Sequence, residues 1–228
     1  MIVRYSLIFG LTLFTCLLVF TYFEKGMGNA FFMQADYSLK EWRKEGKVEN
    51  KQEYLQALES INKAIQYDAN NPHYYNSKAT ILDWGITSGF EHSEINSEIE
   101  ALYHSSIMLR AHWPITWVEL AATHSYSNGV DEKTLQYIDN AFKYGPFDQD
   151  VIRISLNIFL SNWNSLEPSI KNRFYQTLAL ASKNVTLFSK VLNHAKQNNK
   201  EGLVCLQIKF NKVYKKYKDS RLDKQFCS

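Results

Sequence analysis

The chain has 228 residues, enough for one or two domains with a real core. Aromatic residues make up 14%, and only 9 Gly and 4 Pro occur, which excludes a β-rich or disordered chain by composition. The formal net charge of +3 is too small to name a partner, and no nucleic-acid partner is expected. The charge is unevenly spread: residues 24–182 hold 14 basic and 20 acidic side chains, whereas residues 183–228 hold 11 and 3.

Residues 5–23 carry no charge over 19 positions, long enough as a helix for a hydrocarbon core of about 30 Å. A cleaved signal has a shorter apolar region of about 7–15 residues. The stretch is therefore read as an uncleaved signal-anchor, although Gly28-Asn29-Ala30 is a tolerable cleavage site. Leu13-Phe14-Thr15-Cys16 is a poor lipobox because its inner positions are large. Arg4 precedes the segment, and a short positive tip tends to stay in the cytoplasm. The expectation is a single-pass protein of a bacterial inner membrane with the rest of the chain in the periplasm.

Helical periodicity then runs to the end. A helix over 30–47 carries Phe31, Phe32, Ala35, Leu39 and Trp42 and stops at Gly46. Further helices are expected over 53–67, 72–86 and 94–109, then from Pro114, and over 149–163 and 168–182. Pro72, Pro114 and Pro168 stand where a helix start needs no N–H. Two last helices are expected over 184–197 and 201–218. In the second, Leu203, Leu206, Phe210, Val213, Tyr214 and Tyr217 form an apolar stripe, and Lys209, Lys212, Lys215, Lys216 and Lys218 fill much of the remainder. The stripe is read as a cap on the stack; an anionic lipid surface or an anionic polymer is its other expected partner.

A phrase repeats within this helical run. Ala64-Ile65-x-Tyr67, Ser106-Ile107-x-Leu109 and Ala141-Phe142-x-Tyr144 align at separations of 42 and 35 residues. Each leads through a turn into a new helix. Trp117-x2-Leu120-Ala121-x2-His124 follows the W-x2-L-G-x2-Y opening of a tetratricopeptide (TPR) unit, and Tyr75-x2-Lys78-Ala79-x2-Leu82 matches it; Ala57-x3-Ile61-x2-Ala64 has second-helix spacing. Ala57, Ala64, Ala79, Ala121 and Ala141 let antiparallel helices approach closely while larger residues fill the space around them. A period near 34 residues means stacked helical hairpins. The expected fold is all-α: residues 1–29 a transmembrane anchor, 30–182 a TPR-like stack of antiparallel hairpins, 183–228 basic capping helices.

Chemistry is not legible. No phosphate-binding Gly loop, nucleophile elbow or HExxH occurs, and the six histidines show no metal-ligand spacing. No catalytic, cofactor or metal residue is assigned. His124 replaces a packing Tyr and reads as structural; His112, in a turn beside Trp113, is a candidate ligand contact. Cys205 and Cys227 can pair in an oxidising compartment, or stand as two unlinked thiols.

These phrases resemble the small membrane-anchored TPR-like proteins encoded in bacterial exopolysaccharide gene clusters, the VpsP-type family. Leu109-Arg110-Ala111-His112-Trp113-Pro114, followed by Trp117-x2-Leu120-Ala121, resembles that family's LRP-x-WP-x-x-W-x-x-LA phrase, with Ala111 for Pro. Tyr144-Gly145-Pro146-Phe147 resembles its LGPW-like phrase, with Phe147 for Trp, and Asn162-Trp163-x2-Leu166 completes the likeness. The resemblance spans about residues 50–175 and leaves out the basic C-terminal helices. It implies a role in exopolysaccharide synthesis or export and carries over no catalytic residue. With no catalytic constellation in the sequence, the leading expectation is a non-enzymatic scaffold that holds inner-membrane polysaccharide assembly proteins. Two other readings stay open: a polysaccharide-binding module using Trp113, Phe147 and Trp163, and an assembly factor for another envelope system such as cytochrome maturation.

Overall fold

A computed structural model describes residues 2–227. Among these residues the chain is all-α, with eleven α-helices, three 3-10 segments and no strand. The side chains of residues 1–7, Arg4 included, and of Thr21 lie outside the description. The chain forms two compact units, residues 1–111 and 112–228. The boundary falls inside the span 30–182 expected as one repeat domain, and residues 183–228 belong with the second unit.

The first unit starts with α1 (Ile2–Glu45), a single 44-residue helix. The expected anchor and the expected helix over 30–47 are thus one element. Its apolar half is long enough to cross a membrane and is exposed at Ile8, Phe9, Leu13, Phe14 and Leu17. Thr12 and Thr15 donate their hydroxyls to Ile8 O (2.9 Å) and Leu11 O (2.8 Å), so neither hydroxyl needs water there. The other half buries Ala35, Leu39 and Trp42 against α2 (Lys51–Tyr67). Gly28 lies where the two helices cross: a Cβ there would stand 3.3 Å from both Ala64 O and Tyr67 Cβ. Phe31 stacks on Tyr67 at 5.7 Å and Phe32 on Tyr74 at 5.1 Å.

Next come α3 (Pro72–Thr87) and α4 (Asn96–Leu109), an antiparallel pair joined through a 3-10 turn at Ser93–Ile95. Tyr74, and not Tyr75, supplies the buried ring of α3, because position 74 faces Phe32. Tyr75 is half-buried and donates its hydroxyl to Ala69 O at 3.0 Å, clamping the preceding turn. Tyr54 is fully buried and donates to Glu91 Oε1 at 2.9 Å; burial, then that bond, pushes its phenol well above the usual range.

The second unit holds α5 (Pro114–Asn128), α6 (Glu132–Tyr144), α7 (Gln149–Ser161), α8 (Pro168–Ala181), α9 (Val185–Gln197), α10 (Glu201–Phe210) and α11 (Arg221–Phe226). Helices α5 and α6 pair, as do α7 and α8, while α5, α7 and α9 lie side by side. The starts follow from local chemistry. Pro114 and Pro168 open α5 and α8, and the side chains of Asp131, Asp148 and Asn184 accept the first N–H groups of α6, α7 and α9. Leu120, Ala121 and Ala141 are fully buried, as are Ala57, Ala64 and Ala79 of the first unit to within 1%. Trp117 is half-buried against the Tyr137 ring at 6.0 Å. His124 is 6% exposed, and its Nε2 lies 3.2 Å from Asp131 Oδ2.

The helix expected over 201–218 is broken. Asn211 is extended, and its side chain accepts from Val213 N, which ends α10 and starts a 3-10 segment at Lys212–Tyr217. The stripe splits with it. Tyr214 and Tyr217 are buried on Phe188, the latter stacked at 4.3 Å with its hydroxyl donated to Ser182 O. Leu206, Phe210 and Val213 face outward, and Val204 and Ile208 supply the buried face of α10. A disulfide joins Cys205 to Cys227 and ties α11 to α10.

Candidate functional site

Three neighbouring helices leave a groove between them. Glu119, Ala122 and Tyr126 of α5 stand at i, i+3 and i+7, on one helix face. Arg153, Asn157 and Ser161 of α7 stand at i, i+4 and i+8, a polar line on a helix otherwise buried through Val151, Ile154, Leu156, Ile158 and Phe159. His194 of α9 closes the far side, its Nε2 3.5 Å from Ser161 Oγ. The cavity volume of the groove is about 210 Å³. That is below the ~300–1,000 Å³ of a small-molecule site and fits a side chain or two of an extended peptide.

The electrostatics suit a polar segment. Arg153 is fixed by Asp150, with Nη2 2.8 Å and Nε 3.1 Å from Oδ1. Asn157 lines the groove, and its Oδ1 is shielded from solvent and accepts no hydrogen bond within the protein. Burial and the nearby charge of Arg153 lower the pKa of His194, against hydrogen bonds to the Asn157 backbone and the Gln197 side chain that raise it. The ring is neutral at pH 7. The groove thus offers a carboxylate, a guanidinium, an amide and a neutral imidazole. Among the described residues no three His, Cys, Asp or Glu side chains cluster as a metal site.

The contacts expected at His112, Trp113, Phe147 and Trp163 fall elsewhere. His112 is exposed in the turn before α5, its ring edge-on to Tyr144 at 4.9 Å. Trp113 is half-buried at the same turn, and Phe147 is 75% exposed just before α7. Trp163 lies beyond the other end of α7, whose 13 residues span about 20 Å. It is half-buried against Phe174 (5.1 Å) and Tyr175 (6.0 Å) under Lys171. The four side chains therefore form no single surface. Arg153, Asn157 and Ser161 were the missed signal: a polar residue every fourth position through an apolar helix.

A scan against protein-family models finds no match, and a search of curated proteins finds none either.

Proposed function

We propose that the chain is a membrane-anchored, non-enzymatic scaffold whose helical hairpins form a TPR-like stack, and that it holds a partner of an exopolysaccharide assembly machine. The observation that carries the reading is the side-by-side run of α5, α7 and α9, with the Glu119–Ala122–Tyr126 face of α5 and the polar line of α7 on a shared groove. In a TPR-like stack the first helix of each hairpin lines the concave face, the surface that takes extended peptides. The likeness of the Trp113-Pro114 and Gly145-Pro146 phrases to exopolysaccharide-cluster proteins directs the choice of machine.

The cytoplasmic tip and periplasmic body belong to the same proposal. Arg4 precedes the apolar stretch, and the Cys205–Cys227 bridge suits an oxidising compartment. The anchor confines the groove beside membrane enzymes and raises their effective concentration.

The test is photo-crosslinking in cells from Tyr126, exposed at the groove, against Gln136, exposed on α6. A discrete adduct with an inner-membrane polysaccharide assembly protein from Tyr126 alone is expected. Deleting the gene should lower surface polysaccharide, and Asn157→Leu should reproduce the deletion with protein abundance unchanged. Normal polymer in the deletion strain overturns the choice of machine, and adducts from both positions alike overturn the groove.

A further inference from the structure

Helix α10 is apolar on two opposite faces. Val204 and Ile208 are turned inward and fully buried, while Leu206 is 55% and Phe210 72% exposed, with Val213 following at 56%. Leu206 and Phe210 stand four residues apart and so form one contiguous outer patch. A helix end serving only as a lid on the stack needs polar residues there; an outward apolar face calls for a second neighbour.

The rim names that neighbour's charge. Lys209, Lys212, Lys215, Lys216 and Lys218 are all exposed, and none joins an ion pair among the described residues. Lys209 Nζ sits 5.4 Å from the Phe210 ring centre, a cation directly beside the apolar tip. The disulfide folds the last turn back so that Lys218 borders the same depression as Leu206 and Lys209. Asp219 and Asp223 border it too, but the Asp223 carboxylate is held by Asp219 N at 2.8 Å. Residues 201–227 carry seven basic side chains against three acidic.

We propose that this outward face of α10 and the 3-10 segment after it docks on an anionic phospholipid surface, with Phe210, Leu206 and Val213 entering the headgroup region and the lysines meeting lipid phosphates. An anionic polymer would be met by the lysines alone and gives no use to three exposed apolar side chains. A bilayer uses both features, and α1 keeps one at hand.

The full chain placed in nanodiscs of phosphatidylcholine, with and without phosphatidylglycerol, tests this by amide hydrogen exchange. Slower exchange over residues 203–218 is expected only where phosphatidylglycerol is present. Lys209→Gln and Lys212→Gln should each lower that protection about fivefold. Leu206→Ser with Phe210→Ser should abolish it while exchange in α7 is unchanged, which shows the fold intact. Equal exchange in both discs overturns the proposal, as does protection that survives the double serine variant. Protection produced by dextran sulfate but not by phosphatidylglycerol overturns it in favour of a polymer.

Discussion

Gly145 packs against the ring of Pro114: a Cβ at Gly145 would stand 2.8 Å from both Pro114 Cβ and Cγ, and 3.2 Å from Asp148 Cβ. The end of α6 is thereby held on the start of α5, closing that hairpin, and His112 adds its ring on Tyr144. The proline ring cannot swing aside. Gly145→Ala should therefore cost about 1–3 kcal/mol by overpacking, read as a lowered melting temperature. Gly202→Ala, with nothing within 4 Å of its Cβ, is the control and should melt at or above the parent. Equal melting of both variants would show that the Pro114 contact does not form.

The inward positions of the small residues were readable in the sequence from their helical spacing. Ala121 and Ala141 are buried, together with Ala57, Ala64 and Ala79. Rings were harder to place. Tyr74 and Tyr75 are equivalent in local pattern, and only the position of Phe32 on α1 decides which is buried. Asn211 illustrates the other limit: the apolar period continues past it, but its side chain captures Val213 N and ends the helix. The groove was missed for a third reason. A polar residue every four positions looks like a solvated face until a neighbouring helix is laid beside it.

Asp83 on α3 has its carboxyl pushed up by burial. A carboxyl with a raised native pKa favours folding fully below its ordinary value of 3.8 and loses that contribution as pH rises through the raised value. At neutral pH its charge is desolvated and unfavourable. Asp83→Asn should thus raise the melting temperature at pH 7, with the gain shrinking to nothing below about pH 4. His194 acts on the acid side: its lowered pKa means stability is lost as pH falls from 6.5 through the native value. Melting of the parent from pH 5 to 8 and of Asp83→Asn across pH 3 to 8 checks both directions. A gain from Asp83→Asn that persists unchanged at low pH would show that charge is not its cause.

The bridge between Cys205 and Cys227 encloses 22 residues of separation, including the 3-10 segment and α11. Constraining a loop of that size stabilises by about 3 kcal/mol. Reduction, or Cys205→Ser with Cys227→Ser, should release the C-terminal segment first, because Phe226 is the buried side chain of α11. The expected reading is faster proteolysis after Lys212 and Lys215 at temperatures where α7 is still protected. Proteolysis unaffected by reductant would mean that Tyr214 and Tyr217 hold the segment on α9 without the bridge.

Helix α1 runs from an apolar stretch, long enough to cross a membrane, into the first hairpin without a joint. Gly28 is buried where α1 meets Ala64 and Tyr67, whereas Gly26, half a turn earlier, has nothing within 4 Å of where its Cβ would be. Gly28→Leu should force the two helices apart and cost about 1–3 kcal/mol, while Gly26→Leu should be neutral or mildly stabilising. The same packing bears on processing. A signal peptidase must act on extended chain, and the one tolerable cleavage site, Gly28-Asn29-Ala30, lies inside a packed helix. The parent protein should therefore stay in the membrane fraction after a carbonate wash at its full length. Loosening the crossing with Gly28→Leu should expose that site to added protease, and Gly26→Leu should not. A parent protein whose mature form begins near Phe31 would contradict this account, because α1 would then end at the crossing and carry no anchor.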